Sequence, residues 1–390
     1  MIKIPPANIK QDAAWMQEAL LLACRGMGKT SPNPPVGAVV VRNGRCVGKG
    51  WHRAAGTAHA EVLALEAAGL RARGATLYVT LEPCSTWGRT PPCTDRILAS
   101  GIRRVVIATM DPNPRHAGRG CRLLEKQHID TLVGIGKGPA QSLIAPFEKW
   151  ITTGMPFVTL KMAMSLDGRV SDCNGRSKWI TGEPARQWVR RFRTCVDAIM
   201  VGAGTLRKDD PALLASPAAN TNPWRVIVGG TVIPFDRKVF QDVWASRTIL
   251  AVPAVTTRAV RSGKFTCWHF PGHKGRVPLK PLIRRLGDQG HTHVLCEGGP
   301  ELAASFLKSG LVDAMLLVMA PYCLGGTSSL PVIGGTGWQL GKTIPLRFRG
   351  IYPIGDDWMV HLTPHTSVQG QAWNPGVIFG KRGGAPCLRD

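Results

Sequence analysis

Acidic residues are scarce in this sequence: 25 aspartates and glutamates stand against 49 lysines and arginines, which gives a formal net charge of +24. Such a balance can reflect nucleic-acid binding, phosphorylated substrates or only solubility. The basic residues occur in ones and twos, as at Arg103-Arg104 and Lys381-Arg382, without an interleaved aromatic pattern. We therefore expect a solvated surface with a few phosphate-binding positions and no specific nucleic-acid partner. Nucleic-acid binding stays open as an alternative, and it predicts tight, steeply salt-dependent binding to any strand.

Long apolar runs are also missing. No window approaches the roughly 18 uninterrupted apolar residues of a membrane helix, and the stretch from Met1 to Pro6 lacks the apolar core of a secretory signal. We therefore expect a soluble cytoplasmic protein with no membrane partner. The hydrophobic fraction of 44% is that of a globular protein, and 390 residues suffice for two domains with a core each.

Paired cysteines are not expected either, because the count of eleven is odd and argues against a complete set of structural disulfides. Only Cys84 and Cys93 stand in a context that indicates chemistry. The other nine are expected to be small buried apolar residues; they are Cys24, Cys46, Cys121, Cys173, Cys195, Cys267, Cys296, Cys323 and Cys387.

The first domain is expected to span residues 1–150, where helical and strand periods alternate. Strands that alternate with helices of about ten residues indicate a mostly parallel sheet covered on both faces. The predicted helices are 12–25, 58–68, 92–99 and 120–127, and the predicted strands are 36–41, 75–81, 104–108 and 129–133.

A second α/β domain is expected over residues 151–363, followed by a basic Gly/Pro-rich tail, 364–390, that we expect to be loosely ordered. Its predicted strands are 157–162, 198–201, 225–228, 248–252, 293–296 and 314–318, and its predicted helices are 184–193, 279–286 and 301–309.

The segments around His59, Cys84 and Cys93 have the composition of a catalytic zinc site. One imidazole and two thiolates leave the fourth tetrahedral position open for water. Both thiolates lie near predicted helix N-termini, which favour the deprotonated sulfur. Glu61, two residues after His59, can take a proton from the water and pass it to a departing amine. The pattern predicts a zinc-dependent deaminase.

Chance occurrence and a structural zinc site are the two alternative interpretations of this pattern. A lone His-x-Glu arises often by chance, and a structural zinc site would need a fourth Cys or His, which the segment from Pro83 to Cys93 does not contain. Eight residues separate Cys84 from Cys93, where the general deaminase pattern has two. This insertion, Ser-Thr-Trp-Gly-Arg-Thr-Pro-Pro, indicates one branch of the superfamily.

Over residues 12–362 the chain resembles the bifunctional deaminase-reductases of riboflavin biosynthesis. The segments that carry the resemblance occur in the order of that family. They are Pro32-Asn33-Pro34-Pro35-Val36-Gly37, His59-Ala60-Glu61, Leu81-Glu82-Pro83-Cys84, Gly88-Arg89-Thr90-Pro91-Pro92-Cys93, Asp111-Pro112-Asn113-Pro114, Ser165-Leu166-Asp167-Gly168, Lys178-Trp179-Ile180-Thr181, Asp209-Asp210-Pro211 and Glu297-Gly298-Gly299-Pro300.

The resemblance implies a cytidine-deaminase-like three-layer domain followed by a dihydrofolate-reductase-like α/β domain, with Zn²⁺ and NADPH as cofactors. The first domain would hydrolyse the 2-amino group of 2,5-diamino-6-ribosylamino-4(3H)-pyrimidinone 5′-phosphate. The second would reduce the ribosyl group to ribityl with NADPH. Reductase-like domains of this family often pair, which implies a homo-oligomer.

In the deaminase half the resemblance places Asn33 and Arg89 beside the substrate. An amide can donate and accept at once, and a guanidinium suits phosphate or carbonyl oxygens. A plain turn residue between prolines is the alternative for Asn33. Thr86 and Trp87 stand where the family usually has a histidine followed by an aromatic residue or a histidine.

In the reductase half the resemblance implies two sets of residues. Trp179 and Leu213 could equally be core residues, and Gly202-Ala203-Gly204-Thr205 alone is a weak signal for a cofactor. The implied NADPH contacts are Ala163, Trp179, Thr205, Asp209, Gly298, Gly299 and Pro300, and the implied contacts to the ribosyl phosphate are Ser177, Arg193, Leu213 and Glu297.

Three positions depart from the reductase pattern. No arginine occurs in Leu214-Ala215-Ser216, Gly229-Gly230 replaces a common acidic residue, and Tyr322 replaces a common lysine. An alternative therefore keeps the deaminase and treats the second domain as degenerate.

Overall fold

The computed structural model describes residues 9–88, 90–215, 222–230, 232–254, 264–271, 275–367 and 373–376. They form two compact units, one containing the residues up to Thr153 together with 373–376, the other the residues from Gly154 to 367. Within these ranges, no helix combines the length and apolar character needed to cross a membrane.

The first unit alternates helices and strands along the chain. Its helices are α1 (Ile9–Cys24), α2 (Ala60–Ala68), α3 (Cys93–Ala99), α4 (Arg119–Lys126) and α5 (Lys137–Thr153), and its strands are β1 (Gly37–Arg42), β2 (Arg45–Trp51), β3 (Thr76–Val79), β4 (Arg104–Ile107) and β5 (Asp130–Val133). The strands form one sheet in the order β2-β1-β3-β4-β5. Strands β3, β4 and β5 are parallel, whereas β1 is antiparallel to both of its neighbours.

Two apolar faces make this unit a three-layer domain, as expected. Successive strand side chains point to opposite sides of a sheet. In β1, Val40 packs in the cluster formed with α2, α3 and α4, and Val39 packs in the cluster formed with α1 and α5. The sheet is therefore covered on both faces.

The β1–β2 hairpin is absent from the sequence prediction, which favoured a mostly parallel sheet. Arg42 and Arg45 are paired across the turn, and both turn residues have a positive φ, 50° at Asn43 and 70° at Gly44. Asn-Gly is the preferred pair for a two-residue hairpin turn. The same strand β2 also positions the site, because it allows helix α2 to approach closely.

Helix α2 lies directly against β2 at two glycines. A Cβ at Gly48 would lie 2.1 Å from the carbonyl oxygen of Ala64, and one at Gly50 would lie 2.4 Å from that of Ala60. No larger residue fits at such distances. The backbone contact fixes the N-terminal end of α2, where His59 and Glu61 stand.

The second unit is built on one nine-stranded sheet. Its strands are β6 (Phe157–Ser165), β7 (Ala198–Gly202), β8 (Trp224–Val228), β9 (Thr248–Pro253), β10 (Thr266–Phe270), β11 (His293–Cys296), β12 (Ala314–Ala320), β13 (Leu346–Ile354) and β14 (Asp357–Pro364). Its helices are α6 (Glu183–Arg193), α7 (Ala203–Asp209), α8 (Lys238–Gln241), α9 (Leu279–Asp288) and α10 (Pro300–Lys308). The strand order is β10-β9-β8-β7-β11-β6-β12-β14-β13.

The first seven strands in this order are parallel, and β14 and β13 add an antiparallel edge. Continuous apolar sequence in β11 and β9 accounts for their burial on both faces. Strand β11 returns between β7 and β6, so the chain changes direction in the middle of the sheet. In open α/β sheets, ligands bind outside the carboxyl ends of strands at such a point.

Part of the tail differs from the expectation of loose order. Trp373 is 1% exposed, and the backbone N–H of Asn374 donates to Ser142 Oγ of α5 at 2.7 Å. Burial of an indole and this hydrogen bond anchor residues 373–376 to the first unit. The sequence signal was a single tryptophan among glycines and prolines.

Four isolated cysteines contradict the expectation that they are buried. Cys173 and Cys323 are exposed, and Cys46 and Cys267 are half-buried. Cys173 and Cys323 lie in the loops that follow β6 and β12, and Cys267 lies on the edge strand β10. Loops and edges offer no core to pack against.

Candidate active sites

The three metal ligands expected from the sequence come together in the first unit. Their ligand atoms lie within 4.8 Å of one another. His59 Nδ1 is 3.1 Å from Cys93 Sγ and 3.6 Å from Cys84 Sγ. His59 precedes α2, Cys93 begins α3 and Cys84 follows β3, so three separate elements converge on one point. Within the residues that the structure describes, this is the only such cluster of His, Cys, Asp or Glu.

The sulfur of Cys84 lies in an environment that favours its thiolate. Hydrogen bonding from the Cys93 thiol, from the Cys93 backbone N–H at 3.3 Å and from His59 lowers the pKa of Cys84 to about 4. Cys93 is fully buried, and its proximity to Cys84 raises its own pKa. Two thiols this close share one proton and release it readily to a cation. The donor set fits a zinc ion of tetrahedral geometry.

The outer nitrogen of His59 is also engaged. Its Nε2 lies 3.4 Å from the hydroxyl oxygen of Thr90. In a metal-binding histidine, a hydrogen-bond partner on the ring nitrogen that does not bind the metal fixes the tautomer. Glu61 lies in the first turn of α2 and is 4% exposed. Burial raises the pKa of its carboxyl group, and the nearby His59 partly opposes this.

Glu82 has a supporting role that the sequence reasoning did not assign. Its buried carboxylate accepts four backbone N–H groups, from Asp111 at 3.2 Å, Gly118 at 3.0 Å, Gly120 at 2.9 Å and Cys121 at 3.3 Å. These bonds tie the loop before α4 to the segment that carries Cys84. In the sequence, the one local signal for this role of Glu82 is a carboxylate directly before a Pro-Cys pair.

Asn33 lies beside this cluster and is held by a second histidine. Its Nδ2 donates to Nε2 of His52 at 3.1 Å, while Nδ1 of His52 contacts the Ala58 carbonyl at 3.2 Å. Burial lowers the pKa of His52, which keeps this ring neutral and able to accept. The amide oxygen of Asn33 is thereby left for another partner. The expected site residue Arg89 lies outside the described residues.

Thr86, which replaces a family histidine, contacts a histidine from another loop. The Thr86 hydroxyl oxygen is 3.3 Å from Nδ1 of His116. His116 lies in the loop before α4 that Glu82 holds. Both side chains are half-buried.

In the second unit, several expected cofactor residues share the carboxyl ends of β7 and β11. Thr205 lies in the first turn of α7, after β7, and Pro300 begins α10, after β11. A Cβ on Gly299 would lie 3.3 Å from the Thr205 hydroxyl oxygen, and one on Gly298 would lie 2.6 Å from Leu302. The structure therefore brings Thr205, Gly298, Gly299 and Pro300 together, and only glycine fits at 298. Ala163 lies on β6, two strands from β7.

Ser177 and Asp209, assigned to substrate and cofactor respectively, contact each other. The Ser177 hydroxyl donates to Asp209 Oδ1 at 2.8 Å. Trp179 nearby in sequence is 70% exposed, which excludes the alternative that it is a core residue. The guanidinium of Arg186 stacks 4.8 Å from its ring centre.

Arg193 and Glu297 form a half-buried ion pair rather than two independent positions. Their closest atoms, Arg193 Nη2 and Glu297 Oε2, are 2.5 Å apart. Burial raises the pKa of Glu297, but Arg193 more than offsets this and leaves it lowered. Arg193 Nη1 also donates to the Leu214 carbonyl at 3.0 Å. Leu213 is 2% exposed with a φ of 53°, so its side chain is buried.

Lys161 of β6 is a candidate that the sequence reasoning missed. Burial lowers the pKa of its ammonium group, with a further decrease from Arg193, and Glu297 opposes both. A lysine in a strand that otherwise reads Phe-Val-Thr-Leu…Met-Ala-Met is the signal that could have found it.

Comparisons with known proteins match each of the two units to a different domain family. Residues 9–109 match the cytidine and deoxycytidylate deaminase zinc-binding region, and residues 156–360 match the RibD C-terminal domain. A riboflavin biosynthesis protein RibD of Bacillus amyloliquefaciens is 40% identical, with 91% of this chain and 97% of the relative aligned. The chain belongs to the RibD family. Its two-domain fold and its zinc-binding deaminase region are those of the family.

Solved RibD structures share the fold over both units. RibD of Acinetobacter baumannii matches with a TM-score of 0.80 and 35% identity, covering 92% of this chain and all of that one. A Thermotoga maritima protein, named a diaminohydroxyphosphoribosylaminopyrimidine deaminase/5-amino-6-(5-phosphoribosylamino)uracil reductase, matches with a TM-score of 0.78 and 32% identity, covering 91% and 99%. The match of the RibD C-terminal domain across 156–360 does not favour a degenerate second domain.

Proposed function

We propose that this RibD protein catalyses two consecutive steps of riboflavin biosynthesis. The first unit deaminates 2,5-diamino-6-ribosylamino-4(3H)-pyrimidinone 5′-phosphate, and the second reduces the ribosyl group of the product with NADPH. The observation that carries the proposal is the convergence of His59, Cys84 and Cys93 beside the buried Glu61, in a chain whose second half matches the RibD C-terminal domain.

For the first step, His59, Cys84 and Cys93 would hold zinc. When bound, the ion supplies a Lewis acid that makes water nucleophilic at neutral pH. Glu61 takes one proton from the attacking water and delivers it to the amino group, which leaves as ammonia. Burial raises the pKa of the Glu61 carboxyl group, which favours its service as both proton acceptor and proton donor.

The substrate pyrimidine is oriented by Asn33 and Arg89 in this proposal. The neutral His52 accepts one amide N–H of Asn33, so the Asn33 oxygen faces the ligand as an acceptor for a ring N–H or an amino group. A fixed amide discriminates between donors and acceptors on the ring edge. The opposite flip would place the Asn33 oxygen against the lone pair of His52.

For the second step, NADPH would bind at the carboxyl ends of β7 and β11, supplying a hydride donor. Thr205, Asp209 and the loop Gly298-Gly299-Pro300 would contact it, as would Ala163 and the exposed Trp179. The absence of side chains at Gly298 and Gly299 supports this assignment, because a glycine backbone can approach a pyrophosphate closely.

We further assign the ribosyl phosphate to the neighbourhood of Ser177, Arg193, Leu213 and Glu297, with Lys161 as the proton donor. Opening a ribosyl ring during reduction leaves an alkoxide that requires a proton. Lys161 carries one, and burial makes it easier to release. The positive charge of Arg193 and the negative charge of Glu297 compensate each other in this partly buried region.

The test is mass-resolved turnover of the diaminopyrimidine ribosyl phosphate by the zinc-loaded protein, with and without NADPH. We expect the deaminated product without NADPH and its ribityl form only with NADPH. Deamination with no effect of NADPH would restrict the function to the first unit. Absence of both products would refute the substrate.

We also propose a homo-oligomer in the cytoplasm. Strand β13 forms the edge of the nine-stranded sheet, and it presents Phe348 at 74% and Ile351 at 56% exposure. Apolar side chains on an unpaired edge favour association with another strand. Sedimentation of the wild type and of Phe348→Glu tests this, because a monomeric wild type would refute it. The location follows from the proposed phosphorylated substrate and NADPH, which are intracellular metabolites.

A further inference from the structure

The proposed function assigns no role to His116. It lies in the loop before α4, and its Nδ1 is 3.3 Å from the hydroxyl oxygen of Thr86. Thr86 follows the metal ligand Cys84 by two residues. A ring from a distant part of the chain is therefore held at the rim of the deaminase site.

The contact with Thr86 determines which atom of His116 faces outward. When the Thr86 hydroxyl donates to Nδ1, the ring proton resides on Nε2. The imidazole then offers one N–H donor to a ligand.

The loop that carries His116 is rigidly attached to the site. Glu82 accepts the backbone N–H groups of Gly118 and Gly120 at 3.0 and 2.9 Å. The N–H of His116 itself donates to the Asn113 carbonyl at 2.9 Å. Both ends of the short segment around His116 are thus fixed, and the ring is a preorganised donor.

The two ends of a bound substrate lie at different depths in the deaminase site. Glu61 and Cys93 are 4% and 0% exposed, whereas Thr86 and His116 are half-buried. The group that reacts must reach Glu61, so the other end of the ligand lies towards the rim. In a ribosyl phosphate substrate that end is the phosphate.

The charge around His116 also favours an anion. Arg115, Arg119 and Arg122 are exposed on the same segment. Of the two acidic neighbours, Glu82 has its carboxylate covered by backbone N–H donors, and burial raises the pKa of Asp111.

We propose that His116, positioned by Thr86, binds the 5′-phosphate of the deaminase substrate through Nε2 and sets the preference for phosphorylated over unphosphorylated substrate. The proposal rests on the proposed deaminase function. In this proposal the contact comes from the 111–118 loop, because position 86 is a threonine in this chain and has no imidazole.

The decisive variants are His116→Asn and His116→Gln in the full-length, zinc-loaded protein. Asparagine places its amide where Nδ1 was and keeps the Thr86 contact, but removes the outward donor. Glutamine restores a donor near the position of Nε2. His128→Asn is the matched control, because His128 is an exposed residue beyond α4 whose φ of 59° asparagine accepts readily.

We expect His116→Asn to raise KM for the phosphorylated substrate about tenfold, the loss of one hydrogen bond to a charged group. The kcat value and the zinc content stay unchanged, and KM for the dephosphorylated substrate does not move. Glutamine recovers part of the loss, and His128→Asn has no effect. Equal increases in KM for both substrates, or an unchanged KM, would overturn the proposal.

A binding measurement separates this proposal from the deaminase function itself. Ribose 5-phosphate is titrated while the imidazole NMR signal that is missing in His116→Asn is followed. We expect saturable shifts with ribose 5-phosphate and none with ribose. If the wild type binds ribose 5-phosphate at His116 but does not deaminate, the proposed function fails and this inference stands. If deamination occurs without a shift at His116, the inference is wrong.

Discussion

Replacement of Glu82 by glutamine should destabilise the deaminase unit strongly although no metal ligand changes. The carboxylate of Glu82 accepts four backbone N–H groups, two on each oxygen. Glutamine keeps the shape but turns one oxygen into an NH₂ group that faces two donors. Two hydrogen bonds to a charged acceptor are lost, each about 1.5–3 kcal/mol, so we expect a loss of about 3–6 kcal/mol.

The magnitude is large relative to the typical 5–15 kcal/mol stability of a domain. Urea unfolding of the zinc-loaded protein measures the free energy, and amide hydrogen exchange locates the effect. We expect faster exchange at Asp111, Gly118, Gly120 and Cys121. We also expect zinc affinity to fall about 10–100-fold, as for other residues that support ligands.

The control for this experiment is Glu66→Gln, the same substitution at an exposed position of α2. It should change the free energy of unfolding by less than about 0.5 kcal/mol. If Glu82→Gln resembles this control in stability and in exchange, the carboxylate does not hold the loop, and the reasoning from the four N–H contacts is wrong.

Three further outcomes are expected. Glu61→Gln should retain one zinc per chain by atomic absorption while deamination falls about 10²–10⁴-fold; loss of zinc would point to a structural role. Asp12 forms a buried bidentate pair with Arg104. Burial raises the pKa of Asp12, but Arg104 and Tyr78 lower it by more. The contribution of Asp12 to the free energy of unfolding is therefore present above about pH 4 and is lost as pH falls through the folded pKa. Asp12→Asn should therefore cost about 3 kcal/mol at pH 7 and flatten the acid limb of the stability curve, and an unchanged limb would refute this. Lys161→Gln should slow reduction and leave deamination intact; the wild-type reduction rate should decrease with pH through the lowered Lys161 pKa, and the variant should lack that decrease.

Much of the fold could be predicted from local periodicity, because apolar alternation and helical faces are short-range properties. The failures also have local causes. The β1–β2 hairpin has glycines in place of apolar residues on β2, although Asn43-Gly44 was a usable turn signal. Helix α5 contains Pro146 in its interior, and proline disfavours a helix interior. Strand β13 is a largely exposed edge strand, whereas β14 is buried along almost its whole length, so neither shows a clear alternation.

The zinc ligands could be predicted because their spacing is itself the motif. The supporting residues could not, since each acts through a partner remote in sequence. Thr86 and His116 are 30 residues apart, and Arg193 and Glu297 are 104 residues apart. Spacing alone does not tell which loops a fold brings together. For Arg193 and Glu297 the resemblance named both residues without showing that they pair.

Two of the departures in the reductase half, at Gly229-Gly230 and at Tyr322, lie in loops whose contacts the structure shows. A Cβ on Gly229 would lie 2.9 Å from Ile233 and 3.0 Å from the Ala251 carbonyl oxygen, whereas a Cβ on Gly230 would meet no atom within 4 Å. A side chain is therefore disfavoured at position 229 only. Tyr322 donates its hydroxyl to the Ile180 carbonyl at 2.7 Å and thereby holds the segment next to Trp179.

These contacts change what the replaced residues do. At position 322 a hydrogen bond to the backbone takes the place of a charge. In the loop that follows Gly229, the guanidinium of Arg207 lies 3.3 Å from the Val232 carbonyl oxygen. Strands β8 and β12, which precede these two positions, remain paired in the nine-stranded sheet, so local contacts accommodate both departures without loss of the sheet.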